Sequence, residues 1–222
     1  INKLGIEKRK NVKHAFKFMT PMVWLTRLLV GAYPQWIGCK PEKIQRIYFA
    51  NHSSHLDTIV IWSALPRALR PLTRPVAARD YWQSGIRRRI AVDELNVVLV
   101  DRRRTENSDP LDPMRQALRE GSSLIIFPEG TRNKGEELSL LPFHNGSFKI
   151  AEKTGCPIIP MSLNNTCDIF EGHFPFIKKT HVILEYGKPI YPKELDKDEK
   201  KRIGEYCSNI ISETIHKNQA LV

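Results

Sequence analysis

The sequence predicts an α/β fold: a largely parallel central sheet flanked by helices, preceded by an N-terminal helical membrane-docking segment. Three observations predict it. Short apolar runs recur from residue 44 onward and alternate with amphipathic or polar stretches. Reactive side chains stand directly after several of these runs, where open α/β sheets keep their sites. The first forty residues differ from the rest, being basic at the start and then apolar. The 222 residues suffice for one domain, so the chain divides into a docking segment, 1–40, and a single domain, 41–222.

The first ten residues of the docking segment are basic and polar, with Lys8-Arg9-Lys10 among them, and the chain turns apolar over 15–38. Arg27 interrupts the apolar stretch and Pro21 sits in its first third, whereas a bilayer span needs about 20 uninterrupted apolar residues. An interfacial helix fits better. Lys13, Lys17, Thr20 and Arg27 fall near one stripe with Trp24, while Phe16, Phe18, Met19, Met22, Val23, Leu25 and Leu29 cover the remainder. The alternative is a helix pair packed on the core and broken at Pro21.

Strands are expected over 46–50, 76–79, 97–101, 123–127, 158–163 and 181–186, with helices over 58–65 and 113–120 between them. The chain closes on an amphipathic helix in which Ile203, Tyr206, Cys207, Ile210 and Ile211 recur at helical spacing. Asp196 and Glu199 form a capping box ahead of it.

Composition narrows the partners. Against 24 acidic residues stand 35 Lys and Arg, a formal charge of +11, which favours phosphate-bearing partners. Nucleic-acid binders interleave aromatic with basic residues. Here the aromatics concentrate in the apolar N-terminal stretch, which points to an anionic membrane surface and away from nucleic acid. The four cysteines, Cys39, Cys156, Cys167 and Cys207, lie far apart without a C-x-x-C pair, and are expected to be reduced and mostly buried.

Two motifs carry chemistry. In Asn51-His52-Ser53-Ser54-His55-Leu56-Asp57, His52 belongs to a strand-to-helix turn, Ser53 or Ser54 is placed to cap the helix, and Asp57 falls in its first turn. A carboxylate there reaches back to the imidazole, fixes its tautomer and leaves the ring as a general base near neutral pH. A capping histidine without chemistry and a metal site of His52, His55 and Asp57 are the alternatives. In Phe127-Pro128-Glu129-Gly130-Thr131-Arg132, Pro128 stops the strand, Gly130 permits an unusual backbone angle and Thr131 bonds locally. Arg132 offers a planar fork to a phosphate, and Glu129 holds that fork or a substrate hydroxyl. Arg102, after the run 97–101, adds a second phosphate contact at the same sheet edge. Arg87-Arg88-Arg89 forms either a solvated face or a patch for anionic lipid.

The H-x-x-x-x-D spacing of His52 and Asp57, the strand ending in Arg102, the block 127–132 and Pro157-Ile158-Ile159-Pro160 resemble, in order and spacing, the four blocks of the glycerolipid acyltransferases. Within that family the resemblance is to the 1-acylglycerol-3-phosphate (lysophosphatidic acid) acyltransferase group and covers roughly 45–190. It implies that 41–222 is an acyltransferase domain moving a fatty acyl group from acyl-CoA or acyl-carrier protein to a lysophospholipid hydroxyl. His52 would be the base and Asp57 its orienter, with Glu129, Gly130, Thr131, Arg132 and Arg102 at the glycerol-phosphate end. No metal or redox cofactor is called for. The protein would be peripheral or monotopic on the cytoplasmic face of a membrane. Asn133 and His144 depart from the family pattern, His144 standing where a lysine is common. Thioester hydrolysis and a non-enzymatic lipid-binding module are the competing functions.

Overall fold

The computed structural model describes residues 33–54, 56–82, 95–101, 109–133, 135, 139–166 and 182–220. Their framework is a seven-stranded sheet. Strands β1 (Tyr33–Trp36), β2 (Ile47–Ala50), β3 (Thr73–Ala78), β4 (Val98–Val100), β5 (Ser123–Ile126), β6 (Ile158–Asn164) and β7 (Ile183–Tyr186) lie in the order β1-β7-β6-β2-β5-β3-β4. All pairings are parallel except β6 with β7. The expected largely parallel sheet is therefore present, with one antiparallel junction. Both faces are covered, which is why β2, β5 and β6 are buried along their whole length.

Helix α1 (Asp57–Ala64) packs Val60, Ile61 and Ala64 on one face of the sheet, against Tyr48, Ile125, Met161 and Leu184. The other face carries α3 (Asp112–Arg119), α4 (Asn145–Thr154) and α6 (Ile203–Gln219), whose Met114, Phe148 and Cys207 pack on Phe49, Leu124 and Ile158. Short helices α2 (Arg79–Trp82) and α5 (Lys197–Lys201) are also present among the described residues. The capping box of Asp196 and Glu199 is formed, but it opens α5, and Arg202 separates that turn from α6. On α6, Ile203, Cys207, Ile211 and Ile215 make the buried stripe, whereas Tyr206 is 54% exposed.

Prolines sit inside two strands at points where the missing N–H costs nothing. Pro75 is the last β3 residue paired with β5, before pairing to β4 begins at Val76. Pro160 precedes the β6–β7 ladder, which begins at Met161, and its carbonyl accepts from Gly187 N–H at 2.9 Å. β3 therefore starts three residues before the expected 76–79.

The expected helical segment 1–40 needs one correction. Its described part, 33–40, begins with β1, a strand paired in parallel with β7. Trp36 stacks on the buried Tyr186 ring, with centroids 3.7 Å apart, and that contact draws Tyr33–Trp36 into the sheet. Residues 1–32, on which the helix and its stripe were read, lie outside the described residues.

Cys39, Cys156 and Cys207 are free thiols; Cys167 lies outside the described residues. Burial pushes the thiols of Cys156 and Cys207 up to about 12, while half-buried Cys39 is raised less. Thiolates, not thiols, react with alkylating agents. In the folded protein at pH 8, peptide mapping after iodoacetamide is expected to find Cys39 modified well before Cys156 and Cys207. Equal rates at the three would contradict this packing.

Candidate active site

β2 and β5 are adjacent and parallel, so the segments leaving their C-terminal ends emerge side by side on one rim of the sheet. That geometry brings 51–57 and 127–133 together across 77 residues of sequence. The buried Asn51 continues β2 through its side chain: its amide donates to Leu163 O at 2.9 Å and its oxygen accepts Leu163 N–H at 2.8 Å. His52 is thereby delivered at the rim beside the end of β6. Ser53 Oγ makes a second tie there, 2.8 Å from the hydroxyl of buried Thr166.

His52 Nδ1 lies 2.8 Å from Asp57 Oδ2. The same oxygen accepts the N–H groups of Ser53 at 2.8 Å and Ser54 at 2.9 Å. Asp57 is fully buried, and an acceptor oxygen already facing two donors assigns the shared proton to Nδ1. Nε2 is then the nitrogen left to take a proton. The imidazole stacks on Phe127 with centroids 4.2 Å apart and remains 20% exposed. α1 starts at Asp57 itself, without a serine side-chain cap. Ser54 Oγ accepts the N–H of Leu56, the residue just before the helix, at 3.3 Å, and in the reverse sense Asp57 accepts the backbone N–H groups of both serines.

Glu129 differs from its expected place. It is 2% exposed, and its two oxygens accept His52 N–H at 2.7 Å and Leu141 N–H at 3.0 Å. Burial raises the pKa of its carboxyl, and the two N–H bonds and nearby His52 partly offset that rise. Its carboxylate thus holds backbone, not the Arg132 fork. Gly130 adopts φ +67°, and a Cβ there would approach the His144 ring to 2.8 Å. Thr131 is exposed. Arg132 is half-buried, and among the described residues it has no carboxylate partner. The next residue, Asn133, donates its N–H to His52 O at 2.7 Å.

Arg102 and His55 lie outside the described residues. β4, which leads to Asp101 and Arg102, is three strands from β2, roughly 14 Å at ordinary strand spacing. Among the described residues no group of His, Cys, Asp and Glu is arranged to hold a metal ion.

The sequence model of one family, acyltransferase, matches residues 39–164, more than half of the chain and both motifs of this site. The chain belongs to the acyltransferase family. Among relatives of this chain is the 1-acyl-sn-glycerol-3-phosphate acyltransferase of Saccharomyces cerevisiae, 26% identical over 74% of this chain and 52% of that protein. The enzyme of the same name from Haemophilus influenzae is 28% identical over 76% of this chain and 68% of its own length. The chain thus spans about half to two thirds of these curated relatives. In fold the chain is similar to the crystal structure of the 1-acyl-sn-glycerophosphate (LPA) acyltransferase PlsC from Thermotoga maritima. The TM-score is 0.71 at 23% identity, over 92% of this chain and 79% of that one.

The Gly130 turn gives a direct test. An L-residue in this backbone region costs roughly 1–2 kcal/mol, before any displacement of His144. Gly130→Ala is expected to lower unfolding stability by about that amount in urea titration. A variant with an unchanged midpoint would contradict the described turn.

Proposed function

We propose that this acyltransferase moves a fatty acyl group from acyl-CoA or acyl-carrier protein to the free hydroxyl of a lysophospholipid, with 1-acylglycerol-3-phosphate the acceptor and phosphatidic acid the product. The observation that carries the reading is a His52–Asp57 dyad joined through Nδ1, with the imidazole 20% exposed, on the same rim as an Arg132 fork that has no carboxylate partner among the described residues. The names of the yeast and Haemophilus relatives support the acceptor.

In this reading the acceptor hydroxyl gives its proton to His52 Nε2 as its oxygen attacks the thioester carbonyl. The tetrahedral intermediate collapses with cleavage of the C–S bond, and the imidazolium returns the proton to the departing thiolate. Asp57 holds Nδ1–H throughout and stabilises the imidazolium. Arg132, with Arg102, fixes the phosphate so that the hydroxyl meets Nε2, which makes the encounter effectively unimolecular. The chemistry is complete without a metal or redox cofactor. The net charge of +11 attracts the anionic acceptor and the anionic acyl carriers.

Topology supports docking on an anionic membrane through residues 1–32. Tyr33 pairs with Ile183, and Ile183 pairs with Asn164, which is three residues past Met161, the partner of Ala50. Tyr33 therefore starts level with the residues just beyond β2, and the preceding segment joins the fold at the rim that carries His52. Its basic Lys8-Arg9-Lys10 suits an anionic leaflet, and an enzyme so docked receives its lipid acceptor from the surface it sits on. Among the described residues no helix is long and apolar enough to cross a membrane.

The test is acyl transfer from oleoyl thioester to lysophosphatidic acid in vesicles, with free thiol and lipid product both recorded. His52→Ala is expected to lose about 10²–10⁴ of kcat. Arg132→Ala is expected to raise the acceptor KM by roughly tenfold or more, the loss of a charge-assisted phosphate contact. Thiol release without lipid product would contradict the acceptor and favour hydrolysis. No thiol release would contradict the enzymatic reading.

A further inference from the structure

His52 leaves β2 and enters a turn where no ladder supplies partners for its main chain. Both of its backbone polar groups are nevertheless bonded, and both by the 127–133 segment. Glu129 Oε1 accepts the N–H at 2.7 Å, and Asn133 N–H donates to the carbonyl at 2.7 Å. The imidazole is held independently, by Asp57 at 2.8 Å and by the stacked Phe127 ring. The second Glu129 oxygen binds Leu141 N–H, and His144 N–H donates to Pro128 O at 2.8 Å. One buried carboxylate therefore joins three segments, those carrying His52, Phe127–Arg132 and Leu141–His144.

We propose that Glu129 is a positioning residue: it fixes the main chain of His52 against the β5 exit and takes no part in holding the acceptor. Its geometry leaves little else for it to do. At 2% exposure, with an N–H aimed at each oxygen, the carboxylate has no face turned to a substrate. A glutamine in its place keeps one accepting oxygen and turns an NH₂ group toward the other N–H, setting donor against donor. Whichever of the two N–H groups it faces, that repulsion loosens the joint on which the His52 main chain rests, and a shift of about 1 Å at a reacting group costs on the order of 10²-fold in rate. In this arrangement the anion-binding duty of the turn falls to Arg132, three residues on, whose guanidinium has no carboxylate partner among the described residues. The block 127–133 thus combines a buried clamp for the base with an open fork for the phosphate.

The kinetic arm of the test rests on the acyl-transfer reading; a second arm does not. Glu129→Gln and Arg132→Ala are compared with wild type for kcat and for the KM of lysophosphatidic acid. In parallel, the Nδ1–H proton resonance of His52, which reports the bond to Asp57, is followed by NMR. Glu129→Gln is expected to lower kcat by about a hundredfold while the acceptor KM stays within about threefold, with the His52 resonance broadened or lost. Arg132→Ala is expected to show the opposite split, with a raised KM and an intact resonance. An acceptor KM raised about tenfold in Glu129→Gln, or an unchanged His52 resonance, overturns the proposal. If wild type transfers no acyl group to any lysolipid, the acyltransferase function fails, and the resonance alone still decides the clamp. Should Glu129→Gln fail to fold, Glu129→Asp keeps the buried charge but is too short to span both N–H groups. The same two readouts then apply to it.

Discussion

The buried carboxylate of Asp57 is the interaction on which the site depends. Taking such a group out of water is costly unless donors replace its hydration. Here Oδ2 gathers three: the imidazole of His52 and the backbone N–H groups of Ser53 and Ser54, all within 2.9 Å. The same bonds that make the burial tolerable set the path of the chain. They fold 52–57 into a tight turn, start α1 at Asp57 and leave His52 with one tautomer. Oδ1 has no partner among the described residues, so the whole compensation acts through one oxygen and one turn.

The sheet supplies the second constraint. Five strands, β2 to β6, run parallel, so the segment leaving each of them comes out on one rim. Adjacency of β2 and β5 turns a separation of 77 residues into hydrogen-bond distance between His52 and Glu129. The Asn51 amide and the Ser53–Thr166 contact anchor the opposite side of the turn to the end of β6. The His52 turn is thus suspended between the two neighbouring strands of β2, with its imidazole fixed by the first residue of α1. Chemistry that needs a proton acceptor in one orientation is served by this rigidity.

How much of this was legible in the sequence depends on the range of each interaction. The pairing of His52 with Asp57 is local, five residues across one turn, and its spacing expresses it directly. The strands after which His52 and Glu129 stand are apolar runs of ordinary length, and the capping box at Asp196 is visible within one helical turn. The role of Glu129 was not legible. Its partners, His52 and Leu141, are chosen by tertiary contact, so the local run Glu-Gly-Thr-Arg gave no sign that the carboxylate accepts two backbone N–H groups. β1 was missed because Tyr33–Trp36 continues an apolar stretch and is held by a distant ring, Tyr186. α4 was missed because its start, Asn145-Gly146-Ser147, carries no apolar period and the helix gains its place by burying Phe148, Ile150 and Ala151. Pro75 lies inside β3, in the stretch ahead of the expected start at residue 76, since only the partner strands reveal which edge lacks a donor.

Base catalysis at this rim requires that His52 carry its proton on Nδ1, toward Asp57, with a bare Nε2 toward the substrate. The direct measurement is the tautomer of His52 in the resting protein, by ¹⁵N NMR of imidazole-labelled histidine at a pH where the ring is neutral. The hydrogen bonds around Asp57 predict a protonated Nδ1 and an unprotonated Nε2. A proton found on Nε2 would mean that Asp57 does not hold the ring as described, and that the bare nitrogen of His52 is Nδ1, which faces Asp57 and not a substrate.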